Sequence, residues 1–242
     1  MPAVFVHGVP DTERLWKRLL GELERTDVVT LSLPGFGIAT ASDWSATKEA
    51  YAGWLERELE ALGEPVDLVA HDWGAILAQR VASTRPDLIR TLACGSGPLD
   101  RDYEWHAMAQ IWQTADAGEE LMAALIAMPN DDRIAGLVAG GSPDELATIQ
   151  AAQLDDRMAR CILALYRSAV TVGAEWQDAV DAMPNRPAAV FHGADDHYVQ
   201  VTIAQRLATR LRAELVIYPE CGHWWPWARA RETAATLVSL WR

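Results

Sequence analysis

The feature that most constrains this chain is a repeated one. Short apolar runs stop abruptly at a glycine-bearing or polar turn, and a stretch with helical spacing follows. Ala3–Val6 stops at His7-Gly8, Val28–Leu33 at Pro34-Gly35-Phe36-Gly37, and Val66–Ala70 at His71-Asp72-Trp73-Gly74. Thr91–Cys94 is a fourth run, Pro187–Phe191 a fifth that leads into Gly193-Ala194-Asp195-Asp196, and Glu214–Tyr218 a sixth that leads into Gly222-His223. Helical patterns fill the gaps at Thr12–Arg25, Ala75–Ser83, Val201–Leu211 and Ala228–Leu240. Another carries Tyr51, Trp54, Leu55, Leu59 and Leu62 on one face and ends at Gly63. Strands too apolar to have a wet face, alternating with helices, predict a mostly parallel sheet with helices on both faces.

The alternation fails once. From Gly97 to about Asn185 no strand pattern occurs, and helical patterns such as Glu120–Met128 and Leu154–Val170 replace it. Within that stretch Ser142-Pro143-Asp144-Glu145 reads as an N-cap serine, a first-turn proline and a carboxylate three residues past the cap. The expected organisation is therefore an α/β frame from residues 1–97 and 186–242, with a helical cap over 98–185. Ligands of open parallel sheets bind beyond the carboxyl ends of the strands. A cap leaving from such an end would roof that crevice.

Composition narrows the function. Thirty-four acidic against 21 basic residues give a formal charge of −13, which disfavours a phosphate-binding face and hence nucleic acid. No apolar run approaches the ~18–20 residues that span a bilayer, and no basic flank precedes an apolar core at the amino terminus, so no membrane association and a cytoplasmic location are expected. The three cysteines, Cys94, Cys161 and Cys221, are scattered without C-x-x-C spacing and read as reduced thiols. Eleven tryptophans suggest a large aromatic core or an aromatic-walled pocket.

The polar turns all fall at carboxyl ends of expected strands, which is where catalytic groups of such a sheet would converge. Ala70-His71-Asp72-Trp73-Gly74 has the form small-x-nucleophile-x-Gly between a strand and a helix, the nucleophile elbow, with aspartate at its centre. Small flanking residues are needed because the turn is tight. The order nucleophile, acid, histidine along the chain follows from Asp72, the Asp195-Asp196 pair and His223.

On these residues the chain resembles the α/β-hydrolase superfamily, and within it the aspartate-nucleophile branch of epoxide hydrolases and haloalkane dehalogenases. The motifs that carry the resemblance are His7-Gly8-Val9-Pro10, Pro34-Gly35-Phe36-Gly37, His71-Asp72-Trp73-Gly74, Asp196-His197-Tyr198-Val199 and Gly222-His223-Trp224. The resemblance implies Asp72 as nucleophile, His223 as base and Asp196 as the acid that orients it, with Asp195 as the alternative acid. It implies backbone N–H groups of Val9 and Trp73 as an oxyanion hole. A carboxylate attacks an sp3 carbon to leave an alkyl ester, and water activated by the imidazole then cleaves that ester. Such chemistry needs no metal or organic cofactor, only a small-molecule substrate. An unperturbed imidazole would lose activity below about pH 6–7. Oligomeric state is left open between monomer and homodimer.

The two branches differ in how they stabilise the leaving group. The resemblance implies that a dehalogenase would hold halide with the Trp73 indole and a second donor; the frequent Asn after His-Gly is Val9 here, so Trp105 or Trp112 would have to serve. An epoxide hydrolase would protonate the alkoxide from cap tyrosines. Leu165-Tyr166-Arg167-Ser168 is similar to the segment that carries one of them, which makes Tyr166 the candidate acid; the second tyrosine aligns poorly, between Tyr103 and Met108. Opening of small apolar epoxides is therefore the expected activity, with haloalkane dehalogenation and non-catalytic ligand binding as alternatives. Members of the family also place two further strands before the His-Gly strand, whereas Met1 nearly abuts it here, so a six-stranded sheet is expected.

Ordinary structural roles compete with several of these assignments. His7, His71 and His192 sit at strand ends but lack His-x-x-x-His spacing and read as loop-bonding residues, and His106 and His197 as solvated or cap-packing ones. Trp16, Trp54, Trp176 and Trp241 read as core or interface, whereas Trp224, Trp225 and Trp227 are candidates for a pocket wall. Asp72 alone could be a helix N-cap. A serine esterase is disfavoured because no Gly-x-Ser-x-Gly occurs, and a dinucleotide site because Gly35-Phe36-Gly37 lacks its third glycine.

Overall fold

The computed structural model describes residues Met1–Arg242. Its strands are β1 (Ala3–Val6), β2 (Val28–Leu31), β3 (Val66–His71), β4 (Ile89–Gly95), β5 (Ala188–Gly193) and β6 (Glu214–Tyr218), all parallel in the order β2-β1-β3-β4-β5-β6. Val4 lies beside Val29 on one side and Leu68 on the other, and Cys94 is flanked by Ala70 and Val190. Every residue of β1, β3 and β5 is buried.

Side-chain alternation explains why those strands read as unbroken apolar runs. Val4, Val6, Leu68, Ala70, Leu92 and Val190 face one helical layer, while Ala3, Phe5, Val69, Ala93, Ala189 and Phe191 face the other. Helices α1 (Lys17–Gly21), α2 (Lys48–Ala61) and α3 (Trp73–Thr84) follow the first three strands. Six more lie between β4 and β5: α4 (Ala107–Gln113), α5 (Ala117–Ala127), α6 (Asn130–Ala139), α7 (Asp144–Gln153), α8 (Asp156–Ser168) and α9 (Val172–Asp181). Helices α10 (Val201–Leu211), α11 (Trp225–Ala228) and α12 (Ala230–Leu240) complete the frame. Tyr51, Leu55, Ile76 and Leu207 bury against one sheet face; Trp16, Leu19, Trp225 and Leu237 bury against the other. Each such side chain contributes about 1.5–3 kcal/mol by leaving water. No helix is long and apolar enough to cross a membrane.

Three local expectations differ. The helix expected over Thr12–Arg25 is a 3₁₀ turn, Glu13–Trp16, followed by the five-residue α1, which stops at Gly21, a poor helix former. The closing helix breaks at Arg229 (φ −123), whose guanidinium instead donates to the Pro219 carbonyl at 2.6 Å. Ser142 is not the N-cap of α7: Pro143 occupies that place, and the serine hydroxyl turns inward to donate to Gln150 Oε1 at 2.7 Å. Gly63 does end α2, with a left-handed φ of +74 that favours glycine.

The helical segment is pinned to the frame where it departs. Asp100, buried just after β4, accepts from Arg206 Nε at 2.9 Å and Arg210 Nη1 at 2.7 Å, both on α10, and Arg210 also donates to the Leu99 carbonyl at 2.8 Å. The carboxyl is held well below its usual range: burial raises it, but the two guanidinium groups outweigh that.

Candidate active site

The central residue is Asp72, between β3 and α3, with φ 51 and ψ −122. An L-residue with a side chain pays about 1–3 kcal/mol there, and the surroundings must impose it. They do so by close approach. Asp72 N donates to the Gly95 carbonyl at 3.0 Å. A Cβ at Gly74 would stand 2.6 Å from the His7 carbonyl oxygen, so only glycine lets α3 start this near β1.

The Asp72 side chain makes no capping hydrogen bond to its own helix, which removes the N-cap explanation. Its Oδ1 accepts from Val9 N at 2.7 Å, and its Oδ2 lies 3.7 Å from His223 Nε2. The His-Gly loop is set by His7, whose Nε2 accepts from Leu33 N at 3.0 Å while Nδ1 donates to the Gly8 carbonyl at 2.7 Å. His71 Nε2 donates to the His223 carbonyl at 3.0 Å and so braces the turn after β6. His223 Nδ1 is 2.9 Å from Asp196 Oδ2. That oxygen also accepts from Ser96 Oγ at 2.9 Å, while Oδ1 takes the N–H groups of Tyr198 and Val199 at 2.8 and 3.0 Å. Asp195 is exposed, and it is Asp196 that bonds the imidazole.

Charge follows from this geometry. Burial pushes the Asp72 carboxyl up to about 6, against the pull of the nearby imidazole and the Val9 and Trp73 N–H groups. Burial alone would lower His223, but the charge and hydrogen bond of Asp196, then the charge of Asp72, carry it up to about 9. Asp196 is itself buried, which raises it, yet the imidazole and the backbone donors hold it below the usual carboxylate range. The two carboxylates thus favour the charged form of the imidazole, while burial favours the neutral form of Asp72.

Above Asp72 lies a mostly apolar cavity of about 360 Å³, roofed by the helical segment. Val9, Asp72 and His223 line its floor, and Trp105, Trp112, Tyr166 and Trp224 are on its walls. The Tyr166 ring packs edge-on against Trp73, Trp105 and Trp112 at 5.4, 5.2 and 4.8 Å. Burial, then the Asp72 charge, push its phenol well above the ordinary value, so it carries its proton at all working pH. Trp73 stacks on Trp105 at 5.8 Å, is fully buried and does not line the cavity. The Trp112 indole N–H has no partner. Tyr103 and Met108 both line the cavity, but the Tyr103 hydroxyl already donates to the Tyr198 carbonyl at 2.9 Å. Of the tryptophans after His223 only Trp224 reaches the cavity; Trp225 and Trp227 are buried in the core.

Sequence reasoning missed four participants. His106 lines the cavity and caps α4, its Nδ1 accepting from Ala109 N at 3.3 Å. Tyr198 lines it too, two residues past Asp196, close enough in sequence to have been suspected. Ser96 supports Asp196, and Asp11 is a second buried carboxyl in the His-Gly loop. No group of three or more His, Cys, Asp or Glu side chains is placed to hold a metal ion.

A model of the alpha/beta hydrolase family matches residues 3–236. The chain belongs to that family. Among its relatives, this α/β hydrolase is 37% identical over 97 residues to epoxide hydrolase 2 of Siraitia grosvenorii, across 38% of the chain and 31% of the relative. It is 32% identical over 92 residues to a haloalkane dehalogenase of Bradyrhizobium diazoefficiens, across 37% of the chain and 30% of the relative. The matches thus span about a third of those curated relatives. The haloalkane dehalogenase DbeA of Bradyrhizobium elkani superposes with a TM-score of 0.74 at 23% identity, covering 99% of this chain and 90% of that one, a likeness of fold.

Proposed function

We propose that this α/β hydrolase works through a covalent alkyl ester on Asp72 and opens small, largely apolar epoxides to diols. The supporting observation is the convergence on one apolar cavity of a carboxylate, an imidazole held by a second carboxylate, and a protonated phenol, Tyr166. The Asp72 oxygen displaces the epoxide oxygen at carbon, and Tyr166 supplies the proton that the leaving alkoxide takes. Esterification removes the negative charge of Asp72, one of the groups that holds His223 protonated. With that charge gone, the His223 proton passes to the Tyr166 phenolate and restores the phenol, and the neutral imidazole then takes a proton from the water that attacks the Asp72 carbonyl carbon. The tetrahedral oxyanion forms where Val9 N already donates. Asp196 keeps Nδ1 protonated and the ring oriented throughout.

A second reading, halide displacement, is favoured by the partnerless Trp112 indole on the cavity wall. The Trp73 indole N–H is likewise without a partner, but Trp73 is fully buried behind Trp105 and Tyr166 and does not line the cavity, which disfavours this reading. A single turnover in heavy-oxygen water should place label in the Asp72 carboxylate, and label confined to the product would end the ester mechanism. His223→Gln should accumulate the ester as a mass increment on the peptide containing Asp72. Styrene oxide against bromoalkanes separates the readings: bromide release outpacing diol formation reverses them.

A further inference from the structure

Asp11 is used by none of these steps, yet it is only 2% exposed, and each of its oxygens has a partner from a different part of the molecule. Oδ1 accepts from Gln150 Nε2 on α7 at 2.7 Å, and Oδ2 accepts from the Trp224 indole at 3.1 Å. Gln150 Oε1 in turn accepts from Ser142 Oγ at 2.7 Å. Ser142 and Gln150 are each 3% exposed, so this is a closed polar chain inside an apolar junction. Unsatisfied, each member would cost about 1–3 kcal/mol, which makes the chain all-or-none.

The positions of the partners matter more than their number. Asp11 lies two residues after Val9, whose N–H holds Asp72; Trp224 follows His223; Gln150 belongs to the roof and lines the cavity. We propose that Asp11 is a positioning residue that locks the Val9 loop, the His223 turn and helix α7 into one unit over Asp72. This inference rests on the Asp72–His223 reading given above.

The chain of groups tolerates a change in proton count. With Asp11 ionised, Ser142 donates to Gln150 and Gln150 to Asp11, as observed. With Asp11 protonated, a turn of the Gln150 amide lets Asp11 donate to Oε1 and Nε2 donate to Ser142 Oγ, since a hydroxyl both gives and accepts. The lock survives either way, while a charge near the imidazole appears or vanishes. The charged groups facing Asp11 are Asp72 and His223, and burial, the largest influence, brings its carboxyl up to about 7. From α7 and the turn before α11 only the neutral Gln150 and Trp224 reach it, and Glu145 of α7 pairs at the surface with Lys17 and Arg18.

The test titrates the His223 ring by NMR in the native chain and in Asp11→Asn, with the signal assigned by His223→Gln. Loss of the Asp11 charge should lower the His223 midpoint by about 0.5 pH unit or more. Backbone amides of α7 and Val9 should exchange about tenfold faster or more in Gln150→Ala, which applies even if Asp11→Asn fails to fold. In single turnover on an epoxide, Asp11→Asn should slow ester breakdown, so kcat and KM fall together while kcat/KM holds. Unchanged exchange in Gln150→Ala overturns the lock, and an unmoved His223 midpoint in folded Asp11→Asn overturns the coupling of the Asp11 charge to the imidazole. A moved midpoint without any ester on Asp72 would instead retain the lock and discard the proposed reaction.

Discussion

Replacing Gly8 by alanine tests the oxyanion geometry most directly. A methyl carbon built on Gly8 would lie 2.7 Å from Asp72 Cγ and closer still to Cβ and Oδ1, whereas ordinary contact begins near 3.4 Å. Something must open by about 1 Å. Asp72 is clamped by β3, by Gly95 and by the start of α3, so the loop that carries Val9 gives way. A 2.7 Å hydrogen bond does not survive such a shift. Losing one oxyanion donor costs about 10²–10³ in kcat, or about 2.7–4 kcal/mol. The expected result is therefore a drop in kcat of about a hundredfold, with the alkyl ester trapped on Asp72 in rapid-quench mass spectrometry and little change in melting temperature. A kcat within about threefold of the native chain, in protein that melts normally, would show that Val9 N–H does not stabilise the transition state.

On the proposed mechanism Asp72 attacks only when ionised, and burial raises it, so kcat/KM should fall about tenfold per pH unit below about 6 in a pH–rate profile, rather than below the usual carboxylate range. Asp100→Ala should leave Arg206 without its carboxylate and Arg210 with only Asp181 at the root of the helical segment; because Arg206 is partly solvated, the loss is about 2 kcal/mol, seen as a melting point lower by about 4–8 °C.

Much of the fold was legible because the strands lie in a sheet covered on both faces, where the whole run must be apolar and its end must be a turn. Glu214–Tyr218 and Val201–Leu211 have the limits expected from pattern alone. The Thr12–Arg25 and Ala228–Leu240 patterns misled because apolar spacing does not reveal where a helix yields to tertiary bonds such as that from Arg229. At the site, Asp72, Asp196 and His223 were visible because chemistry-bearing residues stood at strand ends. Their separation in space, the 2.9 and 3.7 Å distances, was not. Ser142 shows the limit well: local chemistry favours it as a cap, and only the distant Gln150 explains why its hydroxyl points inward. The burial of Trp73 against Trp105, thirty-two residues away, is likewise something no spacing rule encodes.

The backbone angles at Asp72 belong to the corner and not to its carboxylate, so they persist whatever side chain is installed. Glycine alone would relax them. An Asp72→Gly chain should therefore form no ester on the proposed mechanism and shed about 1–3 kcal/mol of backbone strain, a gain offset in part because Val9 N loses its acceptor and His223 one of its two carboxylates. The sturdiness this protein forgoes is the cost of keeping one oxygen aimed.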